Sequence, residues 1–148
     1  MPRITNDAGL ELIKRFEGCR LQAYQDVAGI WTIGYGHTGG VTEGMTITQH
    51  QADLFLRNDL LATENAVVAA IMQAATAENQ FGAMVALAYN IGAGAFKSST
   101  VLRQHLAGNT AAAADAFLLW DKATIDGKLQ VVQGLSNRRH AERSLYLT

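Results

Sequence analysis

Two acidic side chains nine positions apart, Glu17 and Asp26, together with the hydroxyl of Thr32, have the types and spacing to share one reaction. Glu17 closes a predicted helix, and at about 100° per residue it lies within roughly 20° of Leu10, on the border of that helix's apolar side. Partial burial and the negative end of the helix dipole both favour a protonated carboxyl there, the form a general acid presents near neutrality. Taken alone, such a Glu more often pairs with an arginine, here Arg15, Arg20 or one distant in sequence. Asp26 changes the balance. It falls at a hairpin turn, where a short carboxylate ordinarily serves the backbone. Beyond the turn, Trp31, Ile33 and Tyr35 alternate onto one strand face and leave Thr32, Gly34 and Gly36 on the other. A face with one hydroxyl and two hydrogens leaves room for a ligand, with Thr32 placed to orient a water beside Asp26. One carboxyl kept neutral and one ionised form the working pair of glycoside hydrolysis. The glycines serve equally as marks of a twisted or bulged strand.

The elements that must hold these residues follow from the pattern. Asn6 is a fitting N-cap for a helix over Asp7–Glu17, and Gly18 a ready stop. From Arg20 to Val41 the sequence turns to extended segments, with turns at Val27-Ala28-Gly29 and Thr38-Gly39-Gly40. Thr48 and Gln51 form a capping box that opens a long helix carrying Ala52, Phe55, Leu56, Leu60 and Leu61. Further helices are predicted over about 77–91, 100–106, 111–120 and 136–147, with Asp126-Gly127 as a turn before the last. The charge-free stretch from Asn79 to Phe96 raises the membrane question. Polar residues and glycines interrupt it, and Phe81, Met84, Val85 and Ala88 have the spacing of one buried helical stripe, so it reads as a core helix and no membrane span is expected. Gly82, inside it, costs about 1 kcal/mol relative to Ala and predicts local softness.

Composition agrees with a single α+β domain, mostly α. Of 14 Gly, 8 lie in the first 44 residues, whereas 20 of 24 Ala lie between Ala52 and Ala123, which separates a turn-rich β segment from a helical body. The 148 residues suffice for one core without metal or disulfide staples. Lys plus Arg number 12 against 13 Asp plus Glu, a net charge of −1, which does not favour a nucleic-acid partner. It also predicts a weak salt dependence of any activity on an anionic polymer. The N-terminus lacks the apolar core of a signal peptide, so synthesis in a reducing cytoplasm is expected.

The segment Phe16-Glu17-Gly18-Cys19-Arg20-Leu21, then Tyr24 and Asp26, then Gly29-Ile30-Trp31-Thr32-Ile33-Gly34-Tyr35-Gly36-His37-Thr38 resembles the catalytic segment of the phage-type lysozymes, glycoside hydrolase family 24, the endolysins of tailed bacteriophages. Later blocks follow in the family's order: Gly44-Met45-Thr46-Ile47-Thr48, Asn79-Gln80-Phe81, Tyr89-Asn90-Ile91-Gly92, Gly134-Leu135 and Arg138-Arg139 with Glu142-Arg143. The resemblance implies a lysozyme-like bilobed fold within residues 1–148. A small β-hairpin lobe would span about 18–47 and a helical lobe about 48–148, joined by a long helix, with the N-terminal helix 6–17 packed on the helical lobe and the active site in the cleft. It also implies muramidase activity on bacterial peptidoglycan, with Glu17 as acid and Asp26 with Thr32 positioning the attacking water in an inverting arrangement. Tyr35, Gly36, His37, Tyr89 and Asn90 match positions expected to touch substrate, His37 being suited more to a structural hydrogen bond than to proton transfer. No metal and no other cofactor is implied. The family further implies action on the cell wall after a separate holin has opened the membrane, and a monomer is expected. Arg138, Arg139 and Arg143 would either pair with Glu17 or form a basic face toward wall or solvent.

Other chemistries use the same residues differently. A lytic transglycosylase needs only the acid, and Asp26 and Thr32 speak against it. A peptidase would use Cys19 as nucleophile with a histidine, although no nucleophile motif surrounds it. A zinc amidase lacks the H-E-x-x-H spacing. A module that binds glycan without cleaving it stands as the non-enzymatic reading.

Overall fold

The computed structural model describes residues 2–148. Helix α1, Asp7–Glu17, starts where Asn6 Oδ1 accepts the amide of Gly9 at 3.0 Å, the predicted cap. It ends where Gly18 adopts φ +70° and donates its amide to the Lys14 carbonyl at 3.0 Å. That left-handed step is open to a glycine without strain, and it turns the chain directly after Glu17 into strand β1. Strands β1, Arg20–Gln25, and β2, Trp31–Gly34, pair antiparallel with Tyr24 opposite Thr32. A third extended piece lies along the other edge of β1, where Ala23 donates to Met45 and Ile47 donates to Leu21.

The expected capping box is present. Gln51 donates its amide to Thr48 Oγ1 at 3.1 Å and its side chain accepts the Thr48 amide at 2.9 Å, which starts helix α2, Gln49–Ile71. Ala52, Leu56 and Leu60 are buried along α2, whereas Leu61 is exposed and Phe55 stacks on His37. Helix α3, Glu78–Ile91, is buried continuously from Phe81 to Ala88. It is apolar all round there, so the predicted single stripe is too narrow a description. After α3 come α4, Ala93–Lys97, α5, Thr100–Leu106, and α6, Thr110–Ala116, which tightens into a 3₁₀ turn over Phe117–Leu119. A second hairpin, β3 Lys122–Ile125 and β4 Lys128–Val131, turns at Asp126-Gly127, and α7, Gln133–Leu147, completes the chain. The turn is legible in sequence, but these two strands and α4 are not. Each is five residues or fewer, and the alternation in Lys122–Ile125 and Lys128–Val131 is at the minimum length at which it signals a strand.

The chain forms two compact units, one of Ile13–Ala62 and one of the residues up to Leu12 with Thr63–Thr148. The division falls within α1 and within α2. In the second unit a Cβ placed on Gly9 would stand 2.9 Å from Gly82 Cα and 2.6 Å from Thr5 Cγ2. Gly82 is therefore no soft spot. The two glycines let the backbones of α1 and α3 touch, a gain in packing that offsets the helix propensity lost. Beneath this crossing, Glu64 is buried and accepts from both the amide and the hydroxyl of Thr5 at 2.6 and 2.7 Å.

Candidate active site

Glu17, Asp26 and Thr32 all belong to the unit Ile13–Ala62. Glu17 is the last residue of α1 and is half-buried. Asp26 closes the hairpin turn. Its Oδ1 accepts the amides of Ala28 and Ile30 at 2.8 and 2.9 Å, while its own backbone exchanges bonds with Gly29 and Ile30. Asp26 is thus a turn residue, as its type predicts, but only one carboxylate oxygen is spent that way. The bonds at Oδ1 fix the carboxylate plane and leave Oδ2 to meet a ligand.

Thr32 is buried, and its hydroxyl donates to the Ile30 carbonyl at 2.9 Å. With its hydrogen committed, Oγ1 faces any further partner as an acceptor. The expectation of a bare strand face fails at two of its three positions. Thr32 and Gly34 are buried, and a Cβ on Gly34 would meet the Ala52 Cβ at 3.5 Å and the Ile47 Cδ1 at 3.6 Å. Packing of α2 against the strand fills that space, which alternation within one strand cannot foretell. Gly36 alone is exposed with nothing near it.

Tyr35 and Gly36 form a tight reversal in which Ile33 and His37 exchange backbone hydrogen bonds at 2.9 and 2.8 Å. The Tyr35 ring is buried and its hydroxyl accepts from Gln49 Nε2 at 3.0 Å; burial, the largest influence, pushes its phenol above the ordinary 10.0. Gln49 also donates to Asp53 Oδ1 at 3.0 Å, and Lys14 bridges to the same oxygen at 3.3 Å. Desolvation works the other way, but the hydrogen bonds from Gln49 and Lys14 hold the Asp53 carboxyl below its ordinary range. Lys14 stands one turn before Glu17, so this network braces the end of α1. Sequence reasoning missed it, although the Gln49–Asp53 spacing of four on a helix was a readable signal.

His37 has Nδ1 on both oxygens of Asp59 at 2.9 and 3.0 Å, Nε2 on the Gly39 carbonyl at 2.9 Å, and its ring stacked 4.4 Å from Phe55. Both nitrogens hold protein, so the ring acts as a strut between the β2 reversal and α2. The thiol of Cys19 faces the Gln49 carboxamide oxygen at 3.9 Å, not an imidazole, which removes support from a Cys–His dyad. Tyr89, half-buried, and Asn90, exposed, lie in the last turn of α3, in the other unit.

The basic-face reading of the last helix is overturned for two of its three arginines. Arg138 and Arg139 are buried and close on buried Glu142, with Arg138 Nε at 3.1 Å and Arg139 Nε at 2.7 Å, while Arg138 also donates to the Ala86 carbonyl at 3.0 Å. Arg143 pairs with Asp115 at 2.9 Å. Adjacent arginines with an acid three and four positions on can satisfy one another inside a core, where an unpaired charge could not stay.

The phage lysozyme family profile matches residues 14–142, and the chain belongs to that family. An endolysin of Acyrthosiphon pisum secondary endosymbiont phage 1 is 43% identical over 141 residues, 95% of this chain and 96% of that protein. The muramidase domain of SpmX from Asticaccaulis excentricus superposes with a TM-score of 0.91 at 44% identity, covering 99% of each chain. An endolysin from the Escherichia coli O157:H7 phage FAHEc1 gives a TM-score of 0.92 at 42% identity, covering 98% of this chain and 94% of its own.

Proposed function

We propose that this phage lysozyme hydrolyses the β-1,4 bond between N-acetylmuramic acid and N-acetylglucosamine in bacterial peptidoglycan, with Glu17 as general acid and Asp26 with Thr32 as the water-positioning pair. The observation that carries the reading is the family match over residues 14–142, a span that contains all three residues. Their geometry supports the roles. A water between Asp26 and Thr32 donates one hydrogen to Oδ2 and the other to Oγ1, since the Thr32 hydrogen is committed to Ile30. Its lone pair is then aimed away from both, toward a sugar carbon. Glu17 gives its proton to the leaving oxygen while Asp26 takes one from the water, which inverts the anomeric centre.

Tyr35 and Gly36, at the reversal after β2, and Tyr89 and Asn90, at the end of α3, complete the proposed substrate contacts. In the host the enzyme is made in the cytoplasm, reaches the wall through lesions opened by a separate holin, and works as a monomer without a cofactor. Expression with and without a holin, followed by lysis time, tests the route.

Glu17→Gln is expected to fold as the parent does and to lose about 10²–10⁴-fold in release of reducing ends from purified peptidoglycan. Full activity in that variant overturns the assignment of the acid. Anhydro-muramic ends among the products assign the protein to the transglycosylases instead. Proton spectra of the first products decide the stereochemistry, with the α-anomer expected.

A further inference from the structure

Strand β1 carries a feature that the acid and the water-positioning pair do not use. Between the pairs Arg20–Gly34 and Tyr24–Thr32 the chain advances four residues on β1 but only two on β2, so β1 bulges there. The Arg20 side chain reaches along the strand, and its guanidinium carbon lies 4.5 Å from the centre of the Tyr24 ring. A cation over a ring face is held by the ring's quadrupole, and this contact uses none of the guanidinium's N–H donors. Among the described residues Arg20 makes no ion pair and no side-chain hydrogen bond. An open concavity of about 330 Å³ is lined by Arg20, Leu21, Gln22, Ala23 and Tyr24. Directly opposed residues of an antiparallel pair project to the same face, so Tyr24 stands beside Thr32, the proposed water ligand.

An aromatic-backed, unpaired guanidinium at a concavity is a carboxylate receptor. Resting on the activity proposed above, we propose that Arg20 and Tyr24 form a subsite for a carboxylate on the side arm of N-acetylmuramic acid, so that the enzyme reads the charge of that arm as well as the sugar backbone. Two sources offer this chemistry. In intact glycan the lactyl group is amide-linked, and the charge lies on the stem-peptide carboxylates. In glycan stripped of peptide the lactyl carboxylate itself is free.

Soluble glycan strands in three forms separate these possibilities: native, stripped of stem peptides, and native with every carboxylate converted to a neutral amide. Arg20→Gln is expected to raise KM about 5- to 10-fold on native strands with kcat within about twofold of the parent, and added salt should narrow the gap. Arg20→Lys should fall between, keeping the charge but losing the planar fork. On amidated strands parent and variant should have the same KM, a convergence that a purely structural role of Arg20 would not produce. A gap that persists on stripped strands assigns the subsite to the lactyl carboxylate; its disappearance there assigns it to the peptide. An unchanged KM for Arg20→Gln on native strands, or an equal loss on amidated ones, overturns the subsite while leaving the hydrolase intact. Failure of the parent protein to cleave any of the three overturns the activity itself and the subsite with it.

Discussion

At the scale of single residues, mutation can separate the turn role of Asp26 from the catalytic role proposed for it. Asn retains an Oδ1 able to accept from Ala28 and Ile30 but cannot take a proton from water. Asp26→Asn is therefore expected to keep the parent's melting temperature and lose turnover, whereas Asp26→Ala should also lose about 1 kcal/mol of stability with the two turn bonds. Thermal melts beside reducing-end assays check both. The same logic applies to Thr32. Ser preserves an oxygen that can donate to Ile30 and accept from water, so Thr32→Ser should retain much of the rate that Thr32→Val loses. A Thr32→Val variant as active as the parent would remove the hydroxyl from the mechanism. Composition and spacing singled out Glu17, Asp26 and Thr32. They could not show which oxygen of Asp26 is occupied, because that depends on where the turn's amides point.

At the scale of elements, the α1–α3 crossing shows how a local rule reverses in context. Alanine outranks glycine within a helix by about 1 kcal/mol. At Gly9, however, the added methyl would meet Gly82 Cα at 2.9 Å and Thr5 Cγ2 at 2.6 Å, contacts that force the helices apart. Overpacking of this kind typically costs about 1–3 kcal/mol, so Gly9→Ala is expected to lower stability despite the better helix former. Urea denaturation of the variant beside the parent measures this, and a stabilised Gly9→Ala would mean that the crossing can relax. The reading of Gly82 as a soft spot came from helix propensity alone, which contains no information about the partner helix. The hidden hairpin β3–β4 has a similar origin. Its turn has a signature in Asp126-Gly127, and its strands alternate polar and apolar residues, but each is only four residues long and largely exposed, so little burial marks them.

At the scale of the whole chain, one polar cluster ties together segments far apart in sequence. Thr76 Oγ1 donates to the Ala74 carbonyl at 3.0 Å, so it accepts from His105 Nε2–H at 2.7 Å. The other ring nitrogen then accepts the Tyr146 hydroxyl at 2.6 Å, and Arg3 reaches the Thr76 carbonyl and Glu78. Acceptance of the Tyr146 hydroxyl at Nδ1 requires a neutral His105. Burial, and after it the charge of Arg3, holds His105 below its ordinary 6.5, and burial pushes the Tyr146 phenol up to about 12. Because the folded value is the lower one, the unfolded chain binds more protons as pH falls. The stability is therefore complete above about 6.5 and declines below it, by at most about 1.4 kcal/mol per pH unit for this one group. Melting temperatures of the parent and of His105→Gln between pH 8 and pH 5 check the sign. The parent should lose stability more steeply than the variant below 6.5, and parallel slopes would remove His105 from the account.

Sequence alone determined what depends on neighbours along the chain. The limits of α1 and α5, the Asn6 cap, the Thr48–Gln51 box and the turn at Asp26 all follow from backbone sterics and hydrogen bonds that span a few residues. The family blocks were legible for the same reason, since they are short runs in a fixed order. Tertiary structure decided whatever depends on what lies opposite. It closed the supposed bare face at Gly34 with Ala52, turned Gly82 from a weakness into a close helix contact, and drew Arg138 and Arg139 inward onto Glu142. Burial energy and charge pairing act through space, and residues distant in sequence contribute to them as fully as neighbours do.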